Sequence, residues 1–289
     1  MFWHKPIQTG NLLLLWIPHL KPGSRSFNDS RISYYRNKSN FGAVNVVDNW
    51  NKCLEYATGE YIICMGDDDK LLPCCLEEYY KLTEKHPGLR VYHGRTEIID
   101  DNSNFKDFTA SRPEYESVYS MIWHRRTQER RQFIGDFLFD RKALIAVGGF
   151  YKLPMAWGSD DITACIAASY KGIANTQKIV FQYRENTSSI TNSGNITAKM
   201  EAVKKERQWY HLFLLEEPLE EIDQKFHFLL CSSEQKYYEK KIGTLISWDL
   251  KQHWTHIYKW WRNKKKYQIS NKVLLYSIYI LMKDNMSSL

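Results

Sequence analysis

Apolar positions in this chain recur first in alternating short runs and amphipathic stretches, and later at helical spacing alone. Arg31 to Arg36 (RISYYR) reads as a short strand, and Asn37 to Gly42 as the polar loop after it. Val44, Val47, Trp50 or Asn51, Leu54 and Ala57 follow at helical spacing, and Thr58-Gly59 supplies a stop. Tyr61 to Met65 is short, apolar and rich in β-formers, which predicts a strand buried on both faces. Leu76 to Lys85 predicts an amphipathic helix ended by His86-Pro87-Gly88, and Leu89 to Gly94 a further strand. Strand, helix, strand, helix, strand is the order of an α/β fold with a largely parallel sheet between helices.

Asp100 to Pro113 is polar and reads as a loop, and Val118 to Arg131 as a helix with a basic end. Phe133 to Phe150 predicts a strand, a short helix and a Gly-Gly turn. An acidic pair, Asp160-Asp161, opens the next helix within Trp157 to Ile173, which Lys171-Gly172 closes. Ile179 to Thr191 reads as a last strand with a Ser/Thr/Asn-rich linker. From about Ala198 to Asn285 the pattern is helical throughout, with charged faces and many aromatic residues. Three regions are expected: an atypical opening segment at 1–27, an α/β domain at 28–191 and a helical region at 192–289.

With 289 residues the chain holds one α/β domain plus an appendage. Its net charge of +7 is concentrated near Arg125 to Arg131 and in the last forty residues, too little to indicate nucleic acid, so no nucleic-acid partner is expected. Six cysteines show no C-x-x-C spacing and mostly lie among apolar neighbours, which suits free thiols in a reducing compartment. The apolar runs Leu12 to Ile17 and Val273 to Met282 fall well short of the roughly twenty residues that cross a bilayer, and the first is too short for a secretory signal. A cytoplasmic location, with attachment to the inner face of the cell membrane, is the expectation.

The candidate chemistry is carboxylate. Asp67, Asp68 and Asp69 follow Gly66 at the predicted carboxyl end of a strand, the edge at which open α/β sheets bind ligands. Three adjacent carboxylates repel one another unless a cation or hydrogen-bond donors offset them, and Mg²⁺ or Mn²⁺ carrying a phosphate would do so. A solvated acidic turn is the alternative. Asp160 and Asp161, in turn, suit the first turn of a helix by capping and dipole arguments alone.

Taken in order, NFGAVNVVDNWNKCLEYATGEYIICMGDDDKLLP, DRKALIAVGGF and GSDD resemble the family 2 glycosyltransferases of the GT-A fold, over about Asn28 to Thr191. The resemblance implies a Rossmann-like nucleotide-sugar-binding sheet. It implies that Asp68, with Asp69, holds Mn²⁺ or Mg²⁺ against the diphosphate of a nucleotide-sugar donor, and that Asp67 lies toward the ribose or a metal-bound water. Asn40 and Gly42, of the Asn-x-Gly loop, fall on the donor side. Asp160 or Asp161 is the implied general base, with Asp161 slightly favoured by register against Gly172. Inverting transfer to a glycan or lipid-linked acceptor, in cell-surface polysaccharide or glycan synthesis, is the implied activity. The family's opening strand, helix and strand have no evident counterpart in residues 1–27, so a binding module is the alternative function. A metal-dependent phosphohydrolase would need further ligands or a nucleophile motif, and neither stands at recognisable spacing.

In the tail, Gln252 to Asp284 combines Trp and Tyr with Lys and Arg ahead of an apolar run. Such a segment suits peripheral contact with an anionic membrane, or a helical subdomain packing its aromatic stripe on a core.

Overall fold

The computed structural model describes residues 12–16, 32–37, 41–185 and 195–286. Strand β1 (Leu12–Trp16) lies parallel to β2 (Ile32–Arg36), Leu12 opposite Ile32 and Trp16 opposite Arg36. The opening segment, expected to be atypical, contributes this strand. Five residues dominated by leucine are too few for a membrane but an ordinary length for a strand.

Helix α1 (Val46–Tyr56) buries Val47 and Leu54, as its apolar spacing predicts. The strand expected over Tyr61 to Met65 is shorter: β3 spans only Tyr61–Ile62, is half-buried, and is followed by residues 63–66 without regular structure. Cys64 turns inward and Met65 is exposed, because the chain leaves the sheet before the aspartates. It re-enters as β4 (Lys70–Leu71) and continues into α2 (Cys75–Lys85). Cys75, buried at the start of α2, has its thiol pushed up to about 12 by burial, as befits packing rather than reactivity.

Strand β5 (Val91–Ile99) is nearly continuous in burial, as expected of a strand with both faces covered. The predicted loop after it is instead partly a hairpin, in which β6 (Phe105–Phe108) folds back antiparallel on β5. After β7 (Tyr115–Glu116), α3 (Val118–Arg126) is capped by Ser117, whose side chain accepts from Ser120 N. A 3-10 turn at Ile134–Asp136 leads to β8 (Phe137–Asp140), α4 (Arg141–Ala146) and the Gly-Gly turn. Asn51 of α1 holds that turn like a neighbouring strand, accepting from Phe150 N at 2.7 Å and donating to Phe150 O at 3.0 Å. Then come α5 (Ser159–Ala168) and β9 (Ile173–Arg184).

The strand order is β3-β8-β5-β9-β4, with β6 on β5 and β7 on β9. Pairing is parallel between β5 and β9, and antiparallel for β3–β8, β5–β8 and β4–β9. This mixed Rossmann-like sheet corrects the expectation of a largely parallel one. Strand β8 arrives from a loop and a 3-10 turn rather than from a βαβ crossover, so it runs against both neighbours. On the sheet, Cys75, Tyr79 and Leu82 of α2 form a core with Tyr92, Leu138, Val180 and Phe181.

The chain divides into two compact units, one of residues 1–152 with 159–189 and one of 153–158 with 190–289. The second is helical: α6 (Ile196–Phe213), the 32-residue α7 (Glu221–Gln252), α8 (Ile257–Arg262) and α9 (Asn271–Met286). Its core gathers Met200, Val203, Tyr238, Ile242, Ile246, Trp260, Tyr267 and Val273. Asp249, buried, accepts from the Trp260 indole N–H at 2.7 Å and so satisfies the one polar atom of that ring. Among the described residues no helix is long and apolar enough to cross a membrane.

Candidate functional site

Residues 66–69 form a tight acidic turn between β3 and β4. A side chain at Gly66 would put its Cβ 2.8 Å from Asp68 Oδ1 and 3.1 Å from Asp69 Oδ2, so the missing side chain leaves a space onto which both carboxylates converge. Asp67 is exposed, while Asp68 and Asp69 are half-buried. Burial, followed by the charges of Asp68 and Asp136, outweighs the donors on Asp69 and raises its carboxyl to about 7. Among the described residues no three His, Cys, Asp or Glu side chains converge on a metal. Two hard oxygen donors around an unfilled space do fit Mg²⁺ or Mn²⁺, which take their remaining ligands from phosphate and water.

The turn is held from β9. Arg184 N donates to Asp69 Oδ1 at 2.9 Å, and Arg184 Nε donates to the Asp68 carbonyl at 2.9 Å. The same guanidinium reaches the carbonyls of Asp100 and Asp101 and the Ser103 hydroxyl, tying the acidic turn to the β5–β6 hairpin. Next to it Tyr183 stacks on Phe133, ring centroids 3.7 Å apart, and burial with the charges of Asp69 and Asp68 pushes the Tyr183 phenol up to about 12. Neither Arg184 nor Tyr183 stands out in the sequence, where both are positions in the predicted last strand.

The second acidic site opens α5. Asp161 is buried and takes Arg125 Nε at 2.9 and 3.1 Å and Gln132 Nε2 at 2.7 Å. Asp160 is half-buried. Burial and the neighbouring Asp161 charge raise its carboxyl to about 7, against the opposing pull of Arg125. The capping geometry expected for these acids is thus secondary to their side-chain partners.

The helix predicted to reach Arg131 ends at Arg126, and Gln128 adopts φ +66° as the chain turns away. The departure matters because the basic cluster is not a solvated patch. Arg125 pairs with Asp161, Arg130 with Glu116, and Arg131 with Glu185. Arg112, itself buried, donates to Gln132 Oε1 at 3.0 Å and orients the amide that holds Asp161.

Residues 132–136 bridge the two acidic sites. Gln132 holds Asp161. Gly135 is so close to its surroundings that a Cβ there would lie 2.4 Å from Phe181 Cζ and 3.2 Å from Met65 Cβ, which places this segment against the residue before Gly66. Fully buried Asp136 accepts from Thr96 Oγ1 at 3.0 Å and from Phe133 N, and its charge raises the proton affinity of both Asp69 and Asp160. Asp136 thus joins the candidate site, and its only signal in the sequence is an aspartate inside the apolar run FIGDFLFD. Of the other expected residues, Gly42 is exposed and opens the 3-10 turn ahead of α1, and Asn40 lies outside the described residues.

Residues 20–152 match the model of Glycosyl transferase family 2. The match begins inside the segment expected to be atypical and stops before the acidic pair. No curated protein matches. Among solved structures, S. aureus TarS 1–349 in complex with UDP-GlcNAc is similar in fold, with a TM-score of 0.51 at 12% identity, over 75% of this chain and 65% of that one. S. aureus TarS 1–349 in complex with UDP gives 0.44 at 13% identity, over 75% and 64%. The chain thus spans a little under two thirds of the length of these structures. With the α/β architecture in place, the aspartate turn falls inside the stretch, residues 20–152, that matches the model of Glycosyl transferase family 2.

Proposed function

We propose that this chain transfers a sugar from a nucleotide-sugar donor to a hydroxyl of a glycan or lipid-linked acceptor, with inversion, in the synthesis of a cell-surface polysaccharide or glycan. The observation that carries the reading is the bridge at residues 132–136, which joins an acidic turn suited to a metal and a diphosphate to a carboxylate pair suited to take a proton. Asp68 and Asp69 would hold Mn²⁺ or Mg²⁺, and that ion, when bound, supplies neutralisation of the charge on a departing diphosphate. Asp67, exposed on the same turn, is the group assigned to the ribose side of the donor.

The base is the Asp160–Asp161 pair acting as a unit. Arg125 and Gln132 hold the Asp161 side chain in place, and burial, followed by the neighbouring Asp161 charge, raises Asp160 to about 7. A carboxyl near 7 is well matched to removing a hydroxyl proton as the new glycosidic bond forms, and adjacent interacting carboxylates share their titration. The attacking oxygen approaches from the side opposite the leaving diphosphate, which requires an acid-metal locus and a base locus on separate elements, here the β3–β4 turn and α5.

The test is release of nucleoside diphosphate from a panel of nucleotide sugars with Mn²⁺, with and without hydroxyl acceptors. Uridine diphosphate sugars come first because the TarS structure similar in fold holds UDP-GlcNAc. Acceptor-dependent release is expected from at least one donor. Release from none contradicts a transferase, and binding of a donor without release favours a binding module.

A further inference from the structure

Between residues 250 and 283 lie eight lysines and arginines and no carboxylate, in a chain whose total net charge is +7. The rest of the molecule is therefore near neutral, and the charge belongs to one stretch. Within it, Trp260 faces inward at 1% exposure, while Trp254, Tyr258 and Trp261 stand 75%, 60% and 58% exposed. Tyr258 and Trp261 are neighbours three apart on α8, and Trp254 stands in the 3-10 turn, Trp254–His256, that leads into it. Tyr258 and Trp261 stack at 6.0 Å, with the Arg262 guanidinium 5.8 Å from the Tyr258 ring, and Arg262 and Lys265 are both exposed.

Helix α9 repeats the apolar arrangement, with Lys272 and Lys283 near its two ends. Val273, Leu274 and Ser277 are buried, and the outer face still carries Leu275, Tyr279 and Met282 at intervals of four and three. A helix whose only task is to cover a core keeps its outer face polar. The core of this unit is already supplied by Trp260, Tyr267, Ile269, Val273 and Leu274, so the exposed aromatic and aliphatic residues are additional to it. Among the described residues no helix is long and apolar enough to cross a bilayer. Tryptophan and tyrosine favour the headgroup level, apolar side chains reach the acyl boundary, and clustered cations are drawn to anionic lipid.

We propose that Trp254, Tyr258, Trp261, Arg262 and Lys265, with the outer face of α9, form a docking surface for an anionic lipid bilayer. The surface is independent of the acidic sites, and its test needs no turnover. Full-length chain is sedimented with phosphatidylcholine vesicles with and without phosphatidylglycerol, at low and high salt. Binding is expected to the anionic vesicles and to weaken with salt. The variant Trp254→Ser/Tyr258→Ser/Trp261→Ser is expected to partition at least about tenfold less, and Arg262→Gln/Lys265→Gln several-fold less. Both variants alter exposed positions and should keep the wild-type melting temperature, which separates loss of docking from loss of fold. Failure to sediment, equal binding to neutral vesicles, or wild-type partitioning of the aromatic variant overturns the proposal. So does a preference for a soluble polyanion such as heparin that abolishes vesicle binding without regard to the three rings.

Discussion

Asp160 and Asp161 are neighbours in sequence and opposites in chemistry. Asp161 is bound by Arg125 and Gln132, and Asp160 is pushed up to about 7 by burial and by the Asp161 charge beside it. The consequence for stability has a definite sign. In the unfolded chain Asp160 releases its proton near pH 3.9, while the folded chain retains it until about 7, so folding is favoured at low pH and that contribution is lost as pH rises between the two values. Screening by solvent leaves an effect on the order of 2 kcal/mol. Urea unfolding at pH 5 and pH 7.5 should show Asp160→Asn more stable relative to wild type at the higher pH, and an unchanged difference would refute the assignment. Transfer should rise through about pH 7 as the pair becomes able to accept a proton. At Gly66 the argument is spatial, because the Cβ of Gly66→Ala would occupy the space onto which the Asp68 and Asp69 oxygens converge. We expect at least about tenfold weaker Mn²⁺ binding by calorimetry, with little change in melting temperature.

At the scale of elements, the two acidic loci are fixed by parts of the chain that carry no chemistry of their own. Arg184 pins the β3–β4 turn to the β5–β6 hairpin, and residues 132–136 link it to α5. Gly135→Ala should therefore destabilise by about 1–3 kcal/mol, since its Cβ would fall 2.4 Å from the Phe181 ring, and thermal melting will read it. Much of this level was legible in the sequence. Helices α1 and α2, the helix after β8 and the opening of α5 all announced themselves by apolar spacing and by Gly or acidic punctuation. Three things were not legible. Tyr61 to Met65 is as apolar as a buried strand, yet only its first two residues find a partner, because β8 offers just Asp140 and Phe139. The hairpin strand Phe105–Phe108 is exposed along its whole length, and its FKDF pattern lacks the apolar alternation of a half-buried strand. The buried network of Arg112, Gln132 and Asp136 joins residues from separate loops, and pattern along the chain cannot report such pairings.

At the scale of the molecule, two units with separate cores divide the work, and the second is a helical bundle that owes its stability to its own aromatic interior. Trp260 is the anchor of that interior, fully buried with its N–H on Asp249, and Trp260→Ala should cost about 3–5 kcal/mol, visible as a fall in melting temperature. The first unit contains both acidic loci and most of the stretch that matches Glycosyl transferase family 2. We propose that Asp68 and the Asp160–Asp161 pair of this unit serve one reaction in different roles. The most direct measurement is manganese-dependent release of nucleoside diphosphate to an acceptor, run in parallel on wild type, Asp68→Asn and Asp160→Asn/Asp161→Asn, with diphosphate binding followed by calorimetry. Loss of transfer in both variants, with manganese-dependent binding lost only in Asp68→Asn, is the predicted result; transfer that persists in either variant would contradict the account.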